Sequence, residues 1–178
     1  NTSGTNNLVL GVNAGNSIAS GSNYNVCIGD EAGTALTTGD ENTAVGFESL
    51  ATEDAHGENT AIGYRALKAL NAGANGYNVA VGARCGIVMT TGTKNTGVGS
   101  YSLNTLSTGS NNTAVGQGAL NADTKGNKNV AIGVDSLTNQ NFTSSTDSHN
   151  TAVGNEAGND VTTGRFNNIF GSQAADTL

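Results

Sequence analysis

Few residues in this chain are of a type that does chemistry. There are two histidines, His56 and His149, and two cysteines, Cys27 and Cys85, in 178 residues. Neither histidine has a partner at the spacing of a metal site or a catalytic triad. Both precede an Asn in variable linkers and read as solvated loop residues. The carboxylate pairs Asp30-Glu31, Asp40-Glu41 and Glu53-Asp54 have the right ligand type for Ca²⁺. They do not recur in register, and the G-G-x-G-x-D pattern of calcium β-rolls is missing, so they read as solvated turns. The frequent G-x-x-[AS] spacings belong to a longer regularity and form neither a P-loop nor a dinucleotide fingerprint. No catalytic, cofactor-binding or metal-ligating residue is expected, and the chain is not expected to be an enzyme.

What could position such residues is the next question, and composition narrows it. The net charge of -7 argues against nucleic acid and anionic membrane surfaces as partners. No run approaches the roughly 20 apolar residues of a membrane helix, so no membrane insertion is expected. Gly is 26, Pro is 0, and aromatic residues make up only 4%. A compact globule would use more Leu, Phe and Ile in its core. The apolar residues are nonetheless regularly spaced, unlike those of a disordered chain. The chain opens at Asn1 with no signal peptide and reads as a single repeat domain over 1–178, a fragment of something longer.

The regularity is an internal repeat. Words of the NTAVG kind occur ten times, ending at Gly11, Gly29, Gly46, Gly63, Gly82, Gly99, Gly116, Gly133, Gly154 and Gly171. Steps between these anchors are mostly 17 residues, with longer ones after Gly63 and Gly133. Four residues before every anchor stands Asn: Asn7, Asn25, Asn42, Asn59, Asn78, Asn95, Asn112, Asn129, Asn150 and Asn167. The residue before each Gly is large and apolar, and the residue two earlier is mostly Thr or Val. By the period of two these columns share one strand face, and the other face carries Ala and Gly. Neither face carries charge, so both are expected to be buried.

After the anchor a small residue stands at +3, and then the units divide. Leu50, Leu67, Leu103, Leu120 and Leu137 follow in one type. In the other, Gly follows and a large group comes three residues later, as in Gly15 with Ile18, Gly33 with Leu36, Gly86 with Met89 and Gly158 with Val161; the last unit pairs Ala175 with Leu178. Each unit thus supplies a second large apolar group, as a packed interior requires. The span from +3 to +7 fits either a second strand or one helical turn. Thr-Gly pairs such as Thr38-Gly39 and Thr108-Gly109 are turn signals.

A unit of this size buries no core alone, whereas stacked units cover one another. The expected fold is therefore all-β: a parallel β-solenoid of ten coils, rising about 4.8 Å per coil to a rod of roughly 45–50 Å. Asn42, Asn59, Asn78, Asn95, Asn112, Asn129 and Asn150 then stack as an amide ladder. Cys27 and Cys85, three rungs apart at about 14 Å, are beyond disulfide reach and read as small core residues. Two large groups per coil make a thin interior, which a core shared between protomers would complete. The expectation is that the bulky strand face fills each protomer and the Ala/Gly face meets partner chains.

The run N-T-A-[VI]-G-x-x-[AS]-L with Thr-Gly turns, from Asn7 to Ala175, resembles the head repeats of YadA-type trimeric autotransporter adhesins. It is also similar to longer repeats in phage and viral tail fibres. The resemblance implies a homotrimer of left-handed β-rolls on an extracellular or virion surface fibre that attaches to a host. The adhesin repeat is shorter than the unit here, and no stalk, anchor or chaperone domain is expected within residues 1–178.

If a rod of this kind binds a host-surface glycan or protein receptor, the residues that vary are the candidates. Positions +1 and +2 should face outward, and the longest linker is 138–149. The exposed aromatics expected there are Tyr64, Tyr101 and Phe142. Two competing readings are a purely structural filament and an ice-binding solenoid. The latter needs a flat Thr array, and the column at Thr43, Thr60, Thr96, Thr113 and Thr151 is interrupted by Val26, Val79 and Val130.

Overall fold

The computed structural model describes residues 4–175, so Leu178 lies outside the described residues. The chain is a parallel β-solenoid of ten coils, numbered here by their anchor glycines from coil 1 (Gly11) to coil 10 (Gly171). Each coil gives one three-residue strand to a single sheet: Leu8–Leu10, Val26–Ile28, Thr43–Val45, Thr60–Ile62, Val79–Val81, Thr96–Val98, Thr113–Val115, Val130–Ile132, Thr151–Val153 and Asn168–Phe170. The strands pair without slip, as in Thr43↔Thr60, Ala44↔Ala61 and Val45↔Ile62. A second ladder of two residues each joins Gly126–Asn127 to Thr146–Asp147. The described residues contain no helix.

The strand faces are the reverse of the sequence expectation. The middle residue points inward: Cys27, Ala44, Ala61, Ala114, Ala131 and Ala152 are fully buried. The flanking bulky columns point outward and stay partly exposed, for example Ile62 at 38% and Val79 at 37%. The expectation that the bulky face fills the protomer, and that both faces are buried within it, is therefore wrong for the single chain. The reason is room. Large side chains, mostly leucines, reach beneath the strand from the far side of the coils, and only a small side chain fits above them. At Gly97 even a Cβ would lie 2.5 Å from Cys85 Sγ and 3.1 Å from Leu103 Cδ1.

Those leucines come from the segment after the anchor, which is neither strand nor helical turn. It is a run of turns with left-handed backbone at +2 and +4. Leu50, Leu67, Leu103, Leu120 and Leu137 have φ of 49°, 48°, 53°, 50° and 50°. This conformation costs a non-glycine residue about 1–2 kcal/mol. Complete burial of a leucine contributes about 1.5–3 kcal/mol and outweighs it. In four other coils Gly takes +4 and the +7 side chain lies over it, whereas coils 4 and 6 bury a leucine at both positions, Leu67 with Leu70 and Leu103 with Leu106. A Cβ at Gly15 would lie 2.7 Å from Ile18 Cδ1, and one at Gly33 2.9 Å from Leu36 Cδ1. Leu and Gly at +4 thus share one left-handed backbone shape.

The anchor glycines combine positive φ with close approach. At Gly116 φ is 138°, and a Cβ would lie 2.2 Å from the carbonyl oxygen of Gly133 in the next coil. The same stacking recurs from Gly11 to Gly154.

Most Asn of the buried column both close their own coil and hold the next; Asn59 and Asn129, which open the two longest coils, donate only to the preceding one. Asn112 Nδ2 donates to the carbonyl of Gly126, at the end of the same coil, at 2.9 Å. Its Oδ1 accepts from the backbone N–H and the Nδ2 of Asn129, both at 3.0 Å. Asn25, Asn42, Asn59, Asn78, Asn95 and Asn129 also accept from the following Asn through Oδ1. Asn150 accepts from Asn167 in the same way.

Two buried carboxylates interrupt the apolar +7 column. Glu53 and Asp123 are both at 0% exposure. Each belongs to the coil just before one of the two longest coils. Glu53 accepts from the N–H of His56 and, one coil on, of Ala72. Asp123 repeats the pattern with Gly126 and Phe142, and also accepts from Gln140 Nε2 at 2.6 Å. In both cases the carboxylate ties down a backbone displaced from the regular ladder by inserted residues. Glu53 is therefore not part of a solvated turn, as its sequence suggested.

Candidate functional site

Beyond the anchor glycine the chain turns a corner, and side chains at +1 and +2 project outward. The +2 residues Glu48, Arg65, Arg84 and Tyr101 all have positive φ, between 52° and 60°. The strained backbone is held by the neighbouring coil. Arg65 N–H donates to the carbonyl of Phe47, Arg84 N–H to that of Tyr64, and Tyr101 N–H to that of Ala83. Neighbouring coils therefore place these side chains along one corner of the rod, about 4.8 Å apart per coil.

On coils 3 to 6 that corner carries an aromatic–arginine ladder. The rings of Phe47 and Tyr64 stack with centroids 5.8 Å apart and planes 11° from parallel. The Arg65 guanidinium lies 4.9 Å from the Tyr64 centroid and 5.9 Å from that of Phe47. The Arg84 guanidinium is 5.9 Å from the Tyr64 centroid and 5.6 Å from that of Tyr101. Glu48 pairs with Arg65 and, at 2.9 Å, with Lys68. Hydrogen bonds from Lys68 and then Arg65 hold its carboxyl below the usual range despite some desolvation. Phe47, Tyr64 and Tyr101 remain exposed.

Two of the three aromatics expected from the sequence, Tyr64 and Tyr101, thus belong to one exposed array. The third does not. Phe142 is buried, at 6% exposure, because Asp123 draws its backbone inward. Sequence reasoning missed Arg65 and Arg84, although both stand in the +2 column beside those tyrosines.

Other clusters are less suited to binding. His56 Nδ1 lies 3.3 Å from Glu53 Oε1, a partner its spacing had not suggested. With Asp54 these residues bring ligand-type atoms within 4.8 Å of one another. Both Glu53 oxygens, however, already accept backbone N–H groups, so the group serves as a turn lock. His149 is exposed and stacks on Phe166, with centroids 5.4 Å apart. A polar recess of about 190 Å³ beside Asp40, Glu41 and Glu58 is smaller than the roughly 300–1,000 Å³ of small-molecule sites. Cys27 and Cys85 are free and fully buried, and burial pushes both thiols up to about 11. Neither is placed to act as a nucleophile.

Comparison of the chain with known protein families, characterised proteins and solved structures finds no match.

Proposed function

We propose that this chain is a rigid, non-enzymatic segment of an elongated extracellular or virion surface fibre that attaches to a host surface. Three copies associate along their length, and the residues that vary between coils make the contacts. The observation that carries this reading is the outer sheet face. Two columns, one mostly of Thr and Val and one mostly of Val and Ile, run the length of the rod half-exposed or exposed and carry no charge. Nine steps of about 4.8 Å and a width of about 10 Å give a strip on the order of 400 Å². That area lies within the roughly 300–600 Å² of the largest patch on a typical monomer, so what marks this face is its unbroken, uncharged run along the rod. Three such faces turned to a common axis would complete the core that each chain lacks. The partner face is thus the bulky one.

Light scattering should give three times the chain mass of 17.7 kDa. A monomeric mass would overturn the trimer. Val98→Glu and Val115→Glu, on the outer face, should dissociate it. Binding to host cells or a glycan array separates an attachment fibre from a purely structural filament. A second reading gains one observation. Thr43, Thr60, Thr96, Thr113 and Thr151 lie on this flat outward face, as an ice-binding surface would require; a thermal hysteresis assay decides it.

A further inference from the structure

The ladder on coils 3 to 6 contains one cation whose donors are unoccupied. Arg65 is neutralised by Glu48. The Arg84 guanidinium has no hydrogen-bond or ion-pair partner among the described residues, yet Tyr64 and Tyr101 fix it from two sides. We propose that Arg84, with these two tyrosines, binds the carboxylate of an acidic sugar, a uronic-acid unit of a polysaccharide. This rests on the attachment role proposed above and names its ligand class.

Four features favour this ligand. A guanidinium presents its donors as a planar fork that matches a carboxylate. The exposed Tyr101 ring offers flat apolar surface beside the guanidinium to the C–H face of a pyranose ring. In the +1 column, where coils 3 and 4 carry Phe47 and Tyr64, coils 5 and 6 carry only Ala83 and Ser100, so a ring has room beside Arg84. Finally, Arg65, Lys68 and Arg84 against Glu48 make this corner locally positive on a chain of net charge -7. The rung spacing of about 4.8 Å is on the scale of one sugar unit, so a polysaccharide could run along the rod. An acidic peptide is less well served. The strands of coils 4 to 6 are paired on both sides, leaving no edge there for an added strand.

The test is calorimetric titration of the whole chain at low salt with a short oligogalacturonate, its methyl ester and a poly-glutamate peptide. Saturable binding of the acid alone is expected. Arg84→Gln should weaken it at least about tenfold, or about 1.4 kcal/mol. Arg165→Gln should leave it unchanged, since Arg165 also stacks on a ring but donates to the carbonyl of Asp147. Equal thermal melting of wild type and Arg84→Gln would confirm an intact fold. No binding of the acid, equal binding by Arg84→Gln, equal binding of the ester, or tighter binding of poly-glutamate would each overturn the proposal. Cell attachment measured on the same two proteins separates the two readings. Attachment that survives Arg84→Gln removes the sugar site and leaves the fibre role standing.

Discussion

Replacing Asn112 by Ala removes a clasp from the middle of the stack. Four side-chain hydrogen bonds disappear: Nδ2 to Asn95 Oδ1 at 3.1 Å, Nδ2 to the Gly126 carbonyl at 2.9 Å, and two from Asn129 to Oδ1 at 3.0 Å. At about 1 kcal/mol net each, the loss is about 4 kcal/mol. The backbone N–H of Asn129 also loses its partner where it is fully buried. Asn167→Ala is the internal control. It loses one bond, to Asn150 Oδ1 at 3.1 Å, at a half-buried position, and should cost about 1 kcal/mol. Urea denaturation followed by circular dichroism measures both. Because coils contact only their neighbours, a weak central junction should also split unfolding into two steps. Hydrogen exchange at the Asn129 amide should accelerate well before the rest. A loss below about 1 kcal/mol for Asn112→Ala, or equal losses at the two sites, would refute the account of the column as the clasp of the stack.

Further expectations follow from the anchors, the carboxylates and the thiols. Gly116→Ala should prevent folding or cost more than about 3 kcal/mol by denaturation, since its Cβ would lie 2.2 Å from a backbone oxygen at an unfavourable φ. Asp123→Asn should cost about 1–3 kcal/mol and speed exchange of the Phe142 amide, because an amide nitrogen would then face one of three donors. Stability from the two thiols should be fully present below about pH 8.5 and decline as pH rises toward about 11. The unfolded thiols ionise first while the folded ones keep their protons. The effect is about 2–3 kcal/mol for each thiol, and a Cys27→Ala/Cys85→Ala variant should lack this part of the pH profile.

Much of the architecture was legible because repetition within the chain reports register directly. The Asn and Gly columns located every strand of the sheet, since each coil places the same residue above the last. Which strand face pointed inward was not legible. Val and Ile outrank Ala in hydrophobicity, so the pattern favoured the wrong face. The deciding factor is the volume taken by Leu50, Leu67 and their equivalents, delivered from a left-handed backbone that no periodicity reveals. Phe142 was misplaced for a related reason. It stands in the longest linker, and the residue that draws it inward, Asp123, lies 19 positions earlier. A signal was nonetheless present. Glu53 and Asp123 stand in an otherwise mostly apolar +7 column, and each precedes a lengthened coil. Of the candidate site, the tyrosines were legible from exposure of the +1 and +2 columns, whereas their convergence with Arg84 required the coil geometry.

The Asn clasp has a direction. In each coil Nδ2 bonds are drawn to groups of the same or an earlier coil, while Oδ1 receives the following one, as Asn95 receives Asn112 and Asn112 receives Asn129. A completed coil therefore displays an acceptor on its C-terminal side. A chain emerging N-terminus first during synthesis meets that acceptor already in place at every step. The rod can thus wind up behind the point of synthesis, each turn a seat for the next, without waiting for the whole chain to be delivered.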